Sequence, residues 1–466
     1  MSFVNTIVLA AVLLTLTTGC APRTAGFSGP SGPSGSSQLV SDGSVRAHME
    51  FLASDAMNGR GSGTRDEWIA VTYVAAHLRR LGLEPLGDDG GYVQTIEMER
   101  PELSAPPVLT IGSSRLTHGE GMTVSAMTAL TAAGPLTKHQ KGTPVERGAA
   151  VLTASATGPA AAEVSAAALV LTKTGGCGPA RGPQGGLPRL PAVTLGVKAA
   201  AVRPACIILD DTAYAAADAA AAGTPVRLEG VAKIIQKTQT WNAVGKLSGS
   251  DPAQAQDVIL LSAHIDHVGT GRGQAAPGAD TVYNGADDDA SGSIAVLELA
   301  EAFARGQRPK RTIIFAWFGS EEAGGIGSRF FADKPVVPLD RIVANLQFEM
   351  IGRPDAKVPP HTLWLTGYER STLGPELAKR GAKLVQDPHP DQSFFTRSDN
   401  IQFARRGVIA HTVSSFGLHK EYHQPSDEIG TIDFAHMTDA IRSMVEPIRW
   451  LASASFKPEW LPGMKP

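Results

Sequence analysis

Val258-Ile-Leu-Leu-Ser-Ala-His-Ile-Asp-His267 decides the fold: four apolar residues in a row, two small ones, then two histidines around an aspartate. An apolar run without alternation reads as a strand buried on both faces, as in α/β sheets covered by helices on either side. Outward from it, Ile294 to Phe303 reads as a helix and Thr312-Ile-Ile-Phe-Ala-Trp317 as a second continuous strand. Ile342 to Phe348 and Val408 to Val413 add two more strands. Alternating strand and helix beyond Thr240 predicts an α/β domain with a mixed, mostly parallel sheet flanked by helices. In open sheets of this class ligands lie outside the carboxyl ends of the strands.

Those ends carry chemistry. The first strand runs into His264-Ile-Asp-His267, the second into Gly319-Ser-Glu-Glu322, and the third into Glu349-Met-Ile-Gly352. Asn284-Gly-Ala-Asp-Asp-Asp-Ala-Ser-Gly292 leads into the intervening helix, and Glu421-Tyr-His423 lies downstream. Taken singly these are an interior histidine, a helix cap and a solvated acidic pair. Their conjunction at successive strand ends points instead to a metal centre. Mixed histidine and carboxylate ligands suit zinc, and a carboxylate can bridge two ions about 3.5 to 4 Å apart. His419 and His423 form an H-x3-H pair, but Gly417 and Pro425 oppose a helix there, so that pairing is rejected.

The chain of 466 residues is long enough for two or three domains. With 42 Lys plus Arg against 45 Asp plus Glu, its net charge of -3 excludes a strong attraction for nucleic acid. Hydrophobic residues at 42% and charged residues at 19% exclude a largely disordered chain. Three cysteines are too few for a disulfide scaffold.

Residues 1–20 read as a signal peptide, because the apolar run Ile7 to Leu16 is too short for the roughly 20 residues that span a bilayer. It ends in Leu16-Thr-Thr-Gly-Cys20, which resembles a bacterial lipobox, so Cys20 is expected to carry a lipid anchor. Residues 21–40, rich in Ser, Gly and Pro, form a linker. Folded sequence begins near Ser41. Thr64-Arg-Asp-Glu67 fits a capping box, followed by Val71, Val74, Leu78 and Leu81 at helical spacing and a stop at Gly82. From 105 to 236 the texture turns to Ala-rich and Gly-rich segments with short β-branched runs, Ala168 to Leu171 and Cys206 to Asp210 among them, expected as a small β-rich insert between residues 41–104 and 237–460 of one catalytic domain. Cys177 and Cys206 are left as either a disulfide or two free thiols.

The motifs resemble those of the co-catalytic di-zinc exopeptidases, metallopeptidase family twenty-eight, over residues 45 to 455. Leu52-Ala-Ser-Asp-Ala-Met-Asn-Gly-Arg-Gly-Ser-Gly-Thr64 is similar to the family's N-terminal signature, Thr238-Gln-Thr-Trp-Asn242 resembles the re-entry into the catalytic domain, and the insert resembles a protease-associated domain. The resemblance implies two zinc ions per chain. His264 and Glu349 would bind one, Glu322 and His423 the other, and Asp288 would bridge them. Asp266 would orient His264, Glu321 would act as general base, Tyr422 would donate to the oxyanion, and Arg397 would face substrate. His267 is set aside as a ligand. Glu349 departs from the family's usual aspartate, which implies an adjusted site with the same chemistry.

An exported lipoprotein of the cell envelope, secreted if not acylated, that hydrolyses peptides with water activated between the two metals is the implied function. The acidic lining of Glu321, Glu349 and Asp288, with Arg397 the single basic residue placed there, suits a substrate ammonium and favours an aminopeptidase. A carboxypeptidase or dipeptidase, a glutaminyl cyclase and a non-catalytic binding lipoprotein are the competing readings. Side-chain preference and oligomeric state are not legible.

Overall fold

The computed structural model describes residues 40–140, 142–143, 145–156, 163–173, 187–188, 190, 193–194, 204–271 and 278–466. The expected signal peptide and lipobox, the linker to residue 39 and Cys177 lie outside the described residues. Cys206 is fully buried and disulfide-bonded. Among the described residues no helix is long and apolar enough to cross a membrane.

The chain enters through α1 (Asp42–Leu52), whose Ser41 cap accepts from the Ser44 N–H, and α2 (Arg65–Arg80). The Thr64 hydroxyl accepts from Asp66 and Glu67, and Gly82 leaves the helix at φ 69°, a left-handed turn that glycine takes without strain. The central sheet is built from β1 (Val93–Leu103), β2 (Ala232–Leu247), β3 (Val258–His264), β4 (Thr312–Phe318), β5 (Ile342–Phe348), β6 (Leu363–Leu365), β7 (Leu384–Gln386) and β8 (Ala410–Ser414). Their order across the sheet is β7-β6-β8-β5-β3-β4-β2-β1, and two two-residue strands complete it, Val193–Thr194 beyond β1 and Glu84–Pro85 on β2. The centre is parallel, as the buried apolar strands predict: β3 pairs with β4 and β5, and β5 with β8. The flanks mix in antiparallel pairs, β2 with β4 and β1 and β6 with β8.

Every residue of β3 and β4 is buried. Ile259, Leu261 and Ala263 pack on one face with α3 (Gly292–Arg305) and α4 (Phe434–Leu451), while Val258 and Leu260 pack on the other with Phe331 and Phe403. Burial of a side chain of this size contributes roughly 1.5–3 kcal/mol, so the two faces fix the sheet's height and register. The parallel register sets His264 opposite Phe318, so β3 and β4 deliver their following residues to one edge.

Between β1 and β2 the chain makes an excursion. Strands from Val108–Ile111 to Pro225–Glu229 close a barrel around Leu109, Val124, Leu152, Leu169, Ile207 and Val226. The two strands anticipated there are Leu169–Thr172 and Ala205–Leu209. β1 and β2 form its stem, paired from Val93 with Ala243 to Leu103 with Ala232.

Candidate metal centre

Asp288 sits in the turn that opens α3, between the ends of β3, β4 and β5. Its Oδ1 lies 3.1 Å from His264 Nε2, and its Oδ2 lies 3.1 Å from His423 Nε2. Glu322, delivered by β4, presents Oε1 at 2.7 Å from His423 Nε2 and 3.1 Å from His267 Nδ1. His267, Asp288, Glu322 and His423 thus offer ligand atoms all within 4.8 Å of one another. His267, set aside from the sequence, belongs to this group, carried into it by the turn after β3. His264 meets the other oxygen of Asp288, and the charge of Glu349 reaches both His264 and Asp288.

The donor set fits a cation. His264 Nδ1 donates to the Asp266 carbonyl at 3.1 Å, which fixes the tautomer and leaves Nε2 as the free lone pair facing Asp288. His267 is fully buried, yet its Nε2 has no hydrogen-bond partner, and Glu349 Oε2 is also buried without one. Orphaned ligand atoms converging on one carboxylate are what a metal ion would satisfy.

Electrostatics agree. Burial opposes a charge on His423, but Asp288 and Glu322 outweigh it and raise its pKa to about 9. Burial and Asp288 work against the Glu322 carboxylate, and the His267 and His423 imidazoles still hold it down to about 2. Burial, then neighbouring Asp288 and Asp399, push Glu349 up to about 7 against the opposing effect of His264. Burial and the charges of Asp399, Glu349 and Glu322 raise Glu321 well above the carboxylate range, although His264 opposes them.

Residues 242–446 match the profile of peptidase family M28. This stretch resembles an M28 peptidase domain. It is similar to leucine aminopeptidase 2 of Trichophyton equinum, 29% identical over 188 residues, which cover 39% of this chain and 34% of that relative. The match therefore spans about a third of that relative's length. In structure the chain is similar to an aminopeptidase from Aneurinibacillus sp. strain AM-1, with a TM-score of 0.55 at 17% identity, covering 92% of this chain and 97% of that one. A zinc aminopeptidase from Bacillus subtilis gives 0.51 at 18%, covering 90% and 97%. At these identities the likeness is one of fold.

Within the matched stretch the Asp266 side chain acts on the acidic turn after β4. Its carboxylate accepts from the N–H groups of Glu321 at 2.9 Å and Glu322 at 3.3 Å, so it fastens the whole acidic turn. Asp289 likewise accepts from the N–H groups of His264, Gly292 and Met350, joining β3, α3 and the turn after β5. Asp427 accepts from the N–H groups of Asp287 and Asp288. No helix spans His419 and His423: His419 Nε2 meets Asp287 Oδ2 at 2.9 Å, anchoring the loop that carries Tyr422 and His423. Asp287, Asp289 and Asp427 escaped sequence reasoning; the first two had a signal in the acidic run 287–289, longer than one helix cap requires, and Asp427, 138 residues past Asp289, had none.

Tyr422 stacks on His423 with ring centroids 3.9 Å apart. Burial and the charges of Asp288 and Glu322 raise its pKa far above the ordinary value, so its hydroxyl stays a donor. Arg397 lies 4.9 Å over the Phe394 ring. Together with Glu349, Trp364, Phe416 and Tyr422 these two line a pocket beside the metal ligands.

Proposed function

We propose that the chain is a zinc-dependent aminopeptidase that releases N-terminal residues from peptides. The observation that carries this is Asp288, whose Oδ1 faces His264 while its Oδ2 faces His267 and His423, which Glu322 joins. Those residues, with Asp288 common to both groups, would hold zinc, and two groups of donors favour two ions. Zinc held there would polarise the scissile carbonyl and lower the pKa of water from about 15.7 to about 7. Glu321, held by Asp266 and shifted upward by burial, would serve as the base that accepts a proton from the attacking water and returns it to the leaving amine. Tyr422 remains protonated and donates to the developing oxyanion. The pocket of Trp364, Phe394, Phe416 and Tyr422 suits an apolar side chain of the first residue, and the carboxylates around it suit the substrate ammonium.

Zinc analysis and a panel of free and N-acetylated peptides test the reading. Stoichiometric zinc, with N-terminal residues released from free peptides only, is expected. Faster cleavage of blocked peptides from the C-terminus would reverse the polarity. Outside the described residues, Leu16-Thr-Thr-Gly-Cys20 supports the further reading that the enzyme is tethered to the cell envelope by lipid on Cys20.

A further inference from the structure

Gly59-Arg-Gly-Ser62 lies outside the matched region 242–446, yet it runs directly beneath the metal ligands. Arg60 is fully buried. Its guanidinium donates to four carbonyls: Leu52 at 2.5 Å, Asn284 at 2.7 Å, Ile265 at 3.0 Å and Gly285 at 3.0 Å. Ile265 sits between His264 and Asp266, while Asn284 and Gly285 lead into Asp287 and Asp288. One planar fork therefore ties the two ligand-bearing loops together. In return the His267 N–H donates to the Arg60 carbonyl at 3.0 Å, and the Ser62 hydroxyl donates to Asp266 Oδ2 at 2.5 Å.

The backbone is built for this contact. Asn58, Gly59 and Arg60 are all left-handed, at φ 43°, 65° and 45°, a state that non-glycine residues keep only when their surroundings impose it. A Cβ at Gly59 would sit 2.3 Å from the Tyr283 carbonyl oxygen, so nothing larger than glycine fits. A buried guanidinium bonded only to neutral carbonyls would be costly, but the charges of Asp266, Asp289, Asp427 and Asp288 act on it from close by.

We propose that Arg60 and Ser62 are positioning residues of the metal centre, holding the His264–His267 and Asn284–Asp288 loops in register so that the ligand set stands assembled before metal enters. This rests on the zinc-site reading above. The test is zinc affinity of the metal-stripped full chain by competition with a chelating indicator, alongside thermal melting. Wild-type protein that takes up no stoichiometric zinc would sink the zinc-site reading itself. If it binds, Arg60→Lys, which keeps the charge and loses the fork, should fold and bind zinc roughly 10–100-fold more weakly, with Arg60→Met weaker still. Ser62→Ala, at a half-buried position, should bind several-fold more weakly with a near-normal melt. Folded Arg60 variants with wild-type zinc affinity and only a lowered melting temperature would overturn the proposal, since a merely structural arginine gives that result. Should neither Arg60 variant fold, Ser62→Ala decides: weakened zinc binding supports the proposal, and unchanged binding overturns it.

Discussion

The backbone N–H of Glu321 donates to Oδ1 of Asp266 at 2.9 Å, which places the proposed base under the control of a residue that sits beside a proposed ligand on a different strand. Asp266→Asn exchanges one acceptor oxygen for a donor that faces an N–H. We expect turnover to fall about 10–100-fold and zinc affinity to weaken with it, while the fold survives. Steady-state rates on a leucine substrate, with a parallel zinc titration, check this; unchanged kcat would show that the carboxylate is dispensable.

Base and bridge should separate cleanly. Glu321→Gln keeps the ligand set, so it should retain zinc and lose on the order of 10²–10⁴ in kcat. Asp288→Ala removes the carboxylate that all three histidines face and should lose zinc as well as activity. Metal content and rates measured on the same preparations distinguish them.

Chelation should abolish activity reversibly and also lower the melting temperature. Zinc at a thousand times its dissociation constant adds about 4 kcal/mol to stability. Calorimetry with and without chelator, followed by zinc return, reads both effects; an unmoved melting temperature would argue against a site built into the fold.

A pH dependence follows from His411, which is fully buried and pushed down to about 4 by burial, with a smaller contribution from the Arg370 charge. Its Nδ1 donates to the Thr366 carbonyl at 2.7 Å, leaving Nε2 to accept from the Ser371 hydroxyl at 2.7 Å, so the neutral tautomer is the bonded one. A histidine depressed on folding is neutral when folded and charges when unfolded, so its contribution is complete above about 6.5 and lost as pH falls towards 4. The loss amounts to about 3 kcal/mol. Urea denaturation between pH 4.5 and 7.5 should show a shallower acid limb for His411→Gln than for wild type.

Cys20→Ser should move the protein from the membrane fraction to the soluble one at unchanged specific activity. Wild-type protein recovered soluble with residue 21 at its N-terminus would contradict acylation.

Much of the centre was legible because its ligands follow apolar strands, whose continuous runs announce both the strand and the point where it ends. Asp288, Glu322 and His423 stand together where motif order puts them. What stayed hidden depends on distance along the chain. Glu67 reads as the return arm of a capping box; in the structure it is fully buried and accepts instead from the Gly63 N–H, the Thr240 hydroxyl and the Ser320 N–H. The latter two lie 173 and 253 residues away, beyond any local pattern. Burial has raised its pKa well above normal, with the nearby Asp266 charge adding to the effect. His267 was set aside for a related reason, since a histidine directly after an aspartate carries no mark of which way the turn will aim it. Arg60 and Ser62 sat within a quoted motif, but glycine spacing says nothing of the carbonyls they would meet.

The stem of β1 and β2 has one more implication. Leu103 is paired with Ala232, and the Ser104 N–H bonds the Val231 carbonyl at 2.8 Å, so the chain leaves the sheet and returns to it at neighbouring points. Topologically, the stem is a hairpin whose tip is 128 residues long, counting 104 to 231, and that tip sends one two-residue strand, Val193–Thr194, back to pair with β1. A two-residue Asn-Gly turn could close that hairpin with the right twist. The barrel is thus an exchangeable attachment: a lineage could enlarge, swap or discard it at the cost to the sheet of one two-residue edge strand, and an engineer could do the same.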